Sequence, residues 1–166
     1  MTIFSIPQPA LDTQAKATHP TTSVWVSANA GSGKTHVLTE RVIRLLLNGT
    51  PPARILCLTY TNAAASVMQS RIFRTLSSWS EFDDKQLQIT LSNLENKPAN
   101  AQKLANARQL FARALETPGG LKIQTFHAFC ESLLHQFPLE ANIAGHFELL
   151  DDINKKNYYS KPVVNF

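Results

Sequence analysis

The sequence predicts an α/β fold, a parallel sheet with flanking helices, and three observations carry that prediction. Short apolar runs alternate with longer stretches of helical periodicity, in the order strand, helix, strand, helix, insert, strand, helix. The run Ile55–Leu58 is continuously apolar, as in a parallel strand covered on both faces. A glycine-rich loop joins the first apolar run directly to a helical pattern.

Composition sets the bounds. A chain of 166 residues, 43% hydrophobic and 17% charged, suits one globular domain. The net charge of +4 is unevenly spread: residues 1–80 hold seven Lys/Arg against two Asp/Glu, and residues 81–166 hold nine against ten. The N-terminal half is therefore the one suited to a polyanionic partner. Cys57 and Cys130 lie far apart in apolar runs with no C-x-x-C pair, and read as buried free thiols in a reducing compartment. No apolar run approaches the roughly 20 residues that span a bilayer. The N-terminus lacks a basic start followed by an apolar block. The expectation is a cytoplasmic protein with no membrane partner.

Residues 1–22, with Pro7, Pro9 and Pro20, read as a loose lead-in. Val24–Ser27 is the first strand candidate and Gly31–Gly33 the loop. A helix follows from Lys34 to Leu47, with Leu38, Val42, Leu45 and Leu46 on one face, and Gly49 and Pro51-Pro52 stop it. "RILCLTYT" is the second strand. Asn62 is placed to cap a second helix in which Ala65, Met68, Ile72 and Leu76 form the buried stripe. Residues 77–100 are polar and irregular, with room for a short helix around Leu87–Leu94. A third helix spans Ala101–Glu116, with Leu104, Ala107, Phe111 and Leu115 on one side. Thr117–Gly120 is a turn, "LKIQT" a third strand, and "FHAFCESLLHQF" a fourth helix ended by Pro138. The expected organisation is a lead-in over 1–22, one sheet domain over 23–150 with a helical insert at about 77–117, and an unassigned tail over 151–166.

The loop carries the chemistry. A phosphate-binding loop is written G-x-x-x-x-G-K-[ST]. Here the first position is Ala28, followed by Asn29, Ala30, Gly31, Ser32, Gly33, Lys34 and Thr35. The physics survives that change. Gly31 and Gly33 let successive backbone N–H groups turn toward phosphate oxygens, and the following helix adds its N-terminal dipole. Lys34 can reach the β and γ phosphates, and the Thr35 hydroxyl can ligate Mg²⁺. A chance Gly-rich turn would not be expected between a strand and an amphipathic helix, which is the context the motif demands. Such a loop points to a nucleotide without saying what the nucleotide drives.

Two further stretches narrow the reading. "ILCLTYTNAAASVMQSRI" (55–72) and "KIQTFHAFCESLL" (122–134) fall where the later strands end. With the loop and Gln14, they come in the order found in the UvrD/Rep family of superfamily-one DNA helicases, which the chain resembles over roughly residues 12–152. The wording from Trp25 to Ala65 is nearer still to the AddA branch, the helicase-nuclease subunits of bacterial AddAB break-repair complexes. Tyr60 stands where the family more often has Phe.

The resemblance implies a P-loop NTPase with a RecA-like sheet, forming part of a first helicase core domain. It implies ATP and Mg²⁺ as cofactors, single- or double-stranded DNA as partner, and an AddB-like subunit for the full-length family member. Gln14 would read adenine, its amide matching the N6 and N7 edge, although by its chemistry alone it reads equally as an exposed loop residue. Ala28 to His36 would surround the phosphates, with Lys34 and Thr35 as the catalytic pair. Arg41 would help hold the base or ribose, or else is a solvated helix residue. Thr59, Thr61, Asn62 and Thr125 would hold phosphate or sugar oxygens. Tyr60, Phe126 and His127 would stack on unpaired bases, with core packing the competing reading for Phe126.

A nucleotide motor also needs an acidic pair after an apolar strand to hold Mg²⁺ and orient water. The nearest candidate, "FELLDD" ending in Asp151-Asp152, has Glu148 inside its apolar run and no Glu-x-Gln after it. The expectation is therefore the ATP-binding portion of a 3′–5′ DNA helicase or translocase acting in recombinational break repair. The chain reads as an N-terminal fragment that is inactive as an ATPase alone. The competing classes are a non-catalytic nucleotide- or DNA-binding module and a small P-loop kinase; the stretch after Thr117 lacks a kinase lid pattern.

Overall fold

The computed structural model describes residues 8–29, 31 and 33–147. It divides into two compact units, residues 1–125 and 126–166, each taken by itself below. The tail and the "FELLDD" aspartates lie outside the described residues.

The first unit opens with a helix where the sequence predicts loose chain: α1, Gln8–Ala17. Prolines obscure it. Pro9 sits in the first turn, where its missing N–H has no helical partner to lose. The helix α2 spans Lys34–Leu47 as expected, but its buried arc is centred on Val42, Ile43, Leu46 and Leu47, and Leu38 is exposed. That arc is the one that meets the helices α3 (Asn62–Glu81) and α5 (Ala101–Glu116). A short 3₁₀ turn, Pro52–Arg54, leads into β1, Leu56–Thr59.

The helix α3 buries Ala65, Met68, Ile72, Leu76 and Trp79, which is the expected stripe with one more turn. Its cap is Thr61 rather than Asn62: the Thr61 hydroxyl accepts from the Ala64 N–H at 3.1 Å. Nor is the 77–100 insert irregular. It holds the end of α3 and all of α4, Asp84–Glu95. Its polar residues are helix punctuation. Asp83 accepts from the Gln86 N–H at 2.7 Å, Asn96 takes a left-handed φ of 54° at the end of α4, and Asn100 accepts from the Lys103 N–H at 2.9 Å to start α5. The helix α5 packs on α3, α2 and α4 and buries Ala107, Leu110 and Ala114, leaving Leu115 exposed.

The sheet is smaller than the sequence suggests. Among the described residues it is one parallel pair, β1 with β2 (Lys122–Thr125), in a register that sets Thr59 beside Thr125. Residues 23–29 form no regular element, and Val24, Trp25 and Val26 are exposed. Apolar character alone does not make a strand; a ladder partner does. Leu56 is likewise exposed, so β1 is not covered on both faces. The core of the unit lies between α2, α3, α4 and α5, with Ile55 and Leu121 joining it at the strand ends.

The second unit begins with α6, Phe126–Gln136. Past its end the Phe147 ring stacks on His135, centroids 4.2 Å apart. Both cysteines are free, but only Cys57 is partly buried, and burial pushes its thiol pKa up; Cys130 is exposed, against the expectation for it.

Candidate nucleotide-binding site

The Gly-rich loop turns where its two glycines are. Gly31 has φ 79° and Gly33 φ 87°, both in the left-handed region that disfavours other residues. Gly33 then becomes the N-cap of α2, with no side chain capping the helix. The first helical hydrogen bond runs from the Val37 N–H to the Gly33 carbonyl at 3.0 Å. The N–H groups of Lys34, Thr35 and His36 therefore have no partner within the helix. No carboxylate occupies the first turn of α2. An uncapped N-terminus without an acidic neighbour, entered by two left-handed glycines, is an anion-binding arrangement.

Lys34 adds the charge. Its half-buried side chain folds back over the loop, donating to the Ala28 carbonyl and, at 2.6 Å, to the Asn29 carbonyl. The ammonium is thus held against the loop by neutral acceptors, with no carboxylate partner among the described residues. Thr35 and His36 are exposed at the helix start; His36 Nε2 lies 3.6 Å from Glu40 Oε2. Ala30 and Ser32 lie outside the described residues.

The helix α1 brings Gln14 to this loop. A Cβ placed on Gly33 would lie 3.7 Å from Gln14 Nε2. A cavity of about 410 Å³ lies here, lined among others by Thr13, Gln14, Trp25, Ala28, Lys34 and Val37. Sequence reasoning passes over Trp25 as a strand residue; it is 92% exposed.

Arg41 is placed differently from the expectation that it touches base or ribose. Its guanidinium donates to the carbonyls of Ala17 at 3.0 Å, His19 at 2.7 Å and Thr22 at 2.5 Å. These carbonyls close α1 and the turn after it, so Arg41 ties the helix that carries Gln14 to the helix that starts at the loop.

The second cluster forms at the ends of the strand pair. Thr59 Oγ1 donates to the Thr61 carbonyl at 3.0 Å and reaches the Gln124 carbonyl at 3.5 Å. Thr61 caps α3, Asn62 is its first residue, and Thr125 is buried beside Thr59. Tyr60, between the two threonines, is 87% exposed. Phe126 and His127 open α6 in the second unit, both exposed.

The family model described as the UvrD/REP helicase N-terminal domain matches residues 11–164, which takes in most of the tail that has no assignment by sequence. The AddA subunit of the ATP-dependent helicase/nuclease from Latilactobacillus sakei is 36% identical over 92% of this chain and 15% of its own length. The proteins of the same name from Pediococcus pentosaceus and Acetivibrio thermocellus are 35% and 32% identical, over 78% and 81% of this chain and 9% of their own length. The chain thus spans about a tenth of the length of the curated relatives it matches.

Proposed function

Because the chain belongs to the UvrD/REP helicase N-terminal domain family, we propose that it is the ATP-binding portion of a DNA helicase or translocase, built on a P-loop, RecA-like plan. The observation that carries this reading is the loop itself: two left-handed glycines delivering Lys34 to the acid-free N-terminus of α2. The larger assignment is a 3′–5′ motor in the cytoplasm acting in recombinational break repair with an AddB-like partner. It is supported by the relatives, whose names are those of ATP-dependent helicase/nuclease subunits.

In this reading the N–H groups of residues 33–36 and Lys34 bind the phosphates, and the Thr35 hydroxyl would be a ligand for Mg²⁺, which would supply positive charge against the phosphates. Lys34 exchanges its carbonyl partners for phosphate oxygens. That is a favourable trade, because the phosphate adds an opposite full charge that the neutral carbonyls lack. Gln14 reads the adenine edge. Arg41 acts through Gln14 by fixing the end of α1.

The Arg41 role is tested by a double-mutant cycle. Gln14→Ala should weaken ATP relative to GTP by about 0.5–1.5 kcal/mol, the usual worth of one hydrogen bond. Arg41→Ala should lose the same preference, and the double variant should lose no more than either single. Calorimetric titration with the two nucleotides measures it. Additive losses would mean that Arg41 meets the ligand independently.

We further propose that Thr59, Tyr60, Thr61, Asn62 and Thr125 of the first unit contact single-stranded DNA, and that Phe126 and His127 of the second unit do so in their own right. Tyr60 is the most exposed of the large apolar residues among these, and a stacked base is worth about 1–3 kcal/mol. Tyr60→Ala should therefore weaken a short oligothymidine by about 5- to 150-fold in fluorescence anisotropy. An unchanged affinity would remove Tyr60 from the interface.

A further inference from the structure

We propose that a second groove, beside the nucleotide cavity and sharing Lys16 with it, binds a phosphodiester of a nucleic-acid backbone. It has a volume of about 700 Å³ and is bounded by the end of α1, the turn after it, the Arg44 face of α2 and the α4–α5 connection. None of its lining residues belongs to the loop at 28–36. Lys16, Arg44, Lys97 and Lys103 line it against a single carboxylate, Glu95, which is already paired to Lys103.

Arg44 shows that this is more than a solvated basic face. Its side chain is only 9% exposed and donates to Glu40 at 2.7 Å from Nη2, while its Nε has no partner among the described residues. Glu40 is itself shared with His36. A guanidinium taken out of water needs its charge and its N–H groups matched; Glu40 answers the charge, and the Nε–H stays unmatched. Lys16 and Lys97 are exposed at the rim, and neither has a carboxylate partner among the described residues. Lys16 and Lys97 therefore line the groove without a carboxylate partner among the described residues, beside an Arg44 with an unmatched N–H, and an anion completes the set. The groove is open and borders the helix that starts at the nucleotide loop, which suits a backbone that continues past the site. The proposal extends the DNA reading above to a second surface and rests on it.

The probe is an abasic oligonucleotide, which keeps the phosphates and has no bases to stack, compared with oligothymidine at several salt concentrations. The wild-type chain should bind both. The slope of log affinity against log salt should fall by about 1.4 in Lys16→Ala/Lys97→Ala, at about 0.7 per single-strand phosphate contact. Lys97→Glu should lose at least about tenfold on the abasic strand, the equivalent of roughly 1.4 kcal/mol, and keep its calorimetric ATP affinity. Both positions are exposed, so the variants should fold, and circular dichroism checks that they do. An unchanged slope in the double variant overturns the groove. So does wild type that binds oligothymidine but not the abasic strand, which leaves the stacking reading standing. The reverse pattern, abasic binding that depends on Lys97 with Tyr60→Ala silent on oligothymidine, sinks the stacking role and keeps the groove. Displacement of the abasic strand by an equal phosphate concentration of inorganic pyrophosphate, or by an equal carboxylate concentration of polyglutamate, would overturn the nucleic-acid assignment in favour of a free phosphate or an acidic peptide.

Discussion

Lys34→Ala should cut the affinity for Mg-ATP by about 10- to 150-fold while leaving the melting temperature unchanged. The side chain is the one full charge carried by the loop itself, and it is held there by the Ala28 and Asn29 carbonyls rather than by a carboxylate. A hydrogen bond to a charged group is worth about 1.5–3 kcal/mol, and about 1.4 kcal/mol is tenfold in affinity. Lys34 is no part of the apolar core, so the variant should remain folded, and the loss would be a loss of binding. Calorimetry on both proteins decides it. Equal affinities would mean that the backbone N–H groups bind alone or that ATP binds elsewhere. Arg is a poor substitute, since the loop closes around a compact ammonium and a planar fork is larger and differently directed.

The other large effect is on stability. Trp79→Ala should destabilise the first unit by about 3–5 kcal/mol, the usual cost of truncating a buried aromatic. Trp79 is 2% exposed on the last turns of α3, in the cluster shared by α2, α4 and α5. At roughly 4 °C per kcal/mol for a domain of this size, the melting temperature should fall by about 12–20 °C. Trp25→Ala, at an exposed position, should shift it by no more than about a degree or two, or about 0.5 kcal/mol. The two tryptophans are alike by composition and opposite by burial. A small shift at Trp79 would mean that α4 and α5 do not close over α3.

That contrast shows what the sequence can convey. Periodicity locates α2, α3, α5 and α6, because an amphipathic stripe is a local signal. It misjudges which residues of α2 and α5 face inward, since Leu38 and Leu115 are exposed, and the neighbour that a helix meets is not written in the helix. The strand at Val24–Ser27 fails for the same reason: a strand is a pairing, and the described sheet pairs only β1 with β2. Capping chemistry is legible but easily under-read. Asp83, Asn96 and Asn100 mark α4 and the start of α5 in a stretch whose polarity suggests irregular chain. Within the site, the turn at Gly31 and Gly33 and the position of Lys34 follow from glycine freedom and helix-dipole reasoning. The presence of Gln14 beside Gly33 comes only through the family resemblance. The contacts of Arg41 are not legible in the sequence, because its three acceptors are backbone carbonyls 19 to 24 residues earlier, which no side-chain pattern records.

The claim that the loop at Gly31–Lys34 is a nucleotide site is tested most directly by mapping amide chemical shifts of the ¹⁵N-labelled chain on addition of Mg-ATP. The largest changes should fall on Gly31, Gly33, Lys34, Thr35 and His36 and on the Gln14 side-chain amide. Tripolyphosphate should reproduce the loop changes without the change at Gln14. Shifts confined to other residues, or a loop whose amides do not respond at saturating nucleotide, would contradict it.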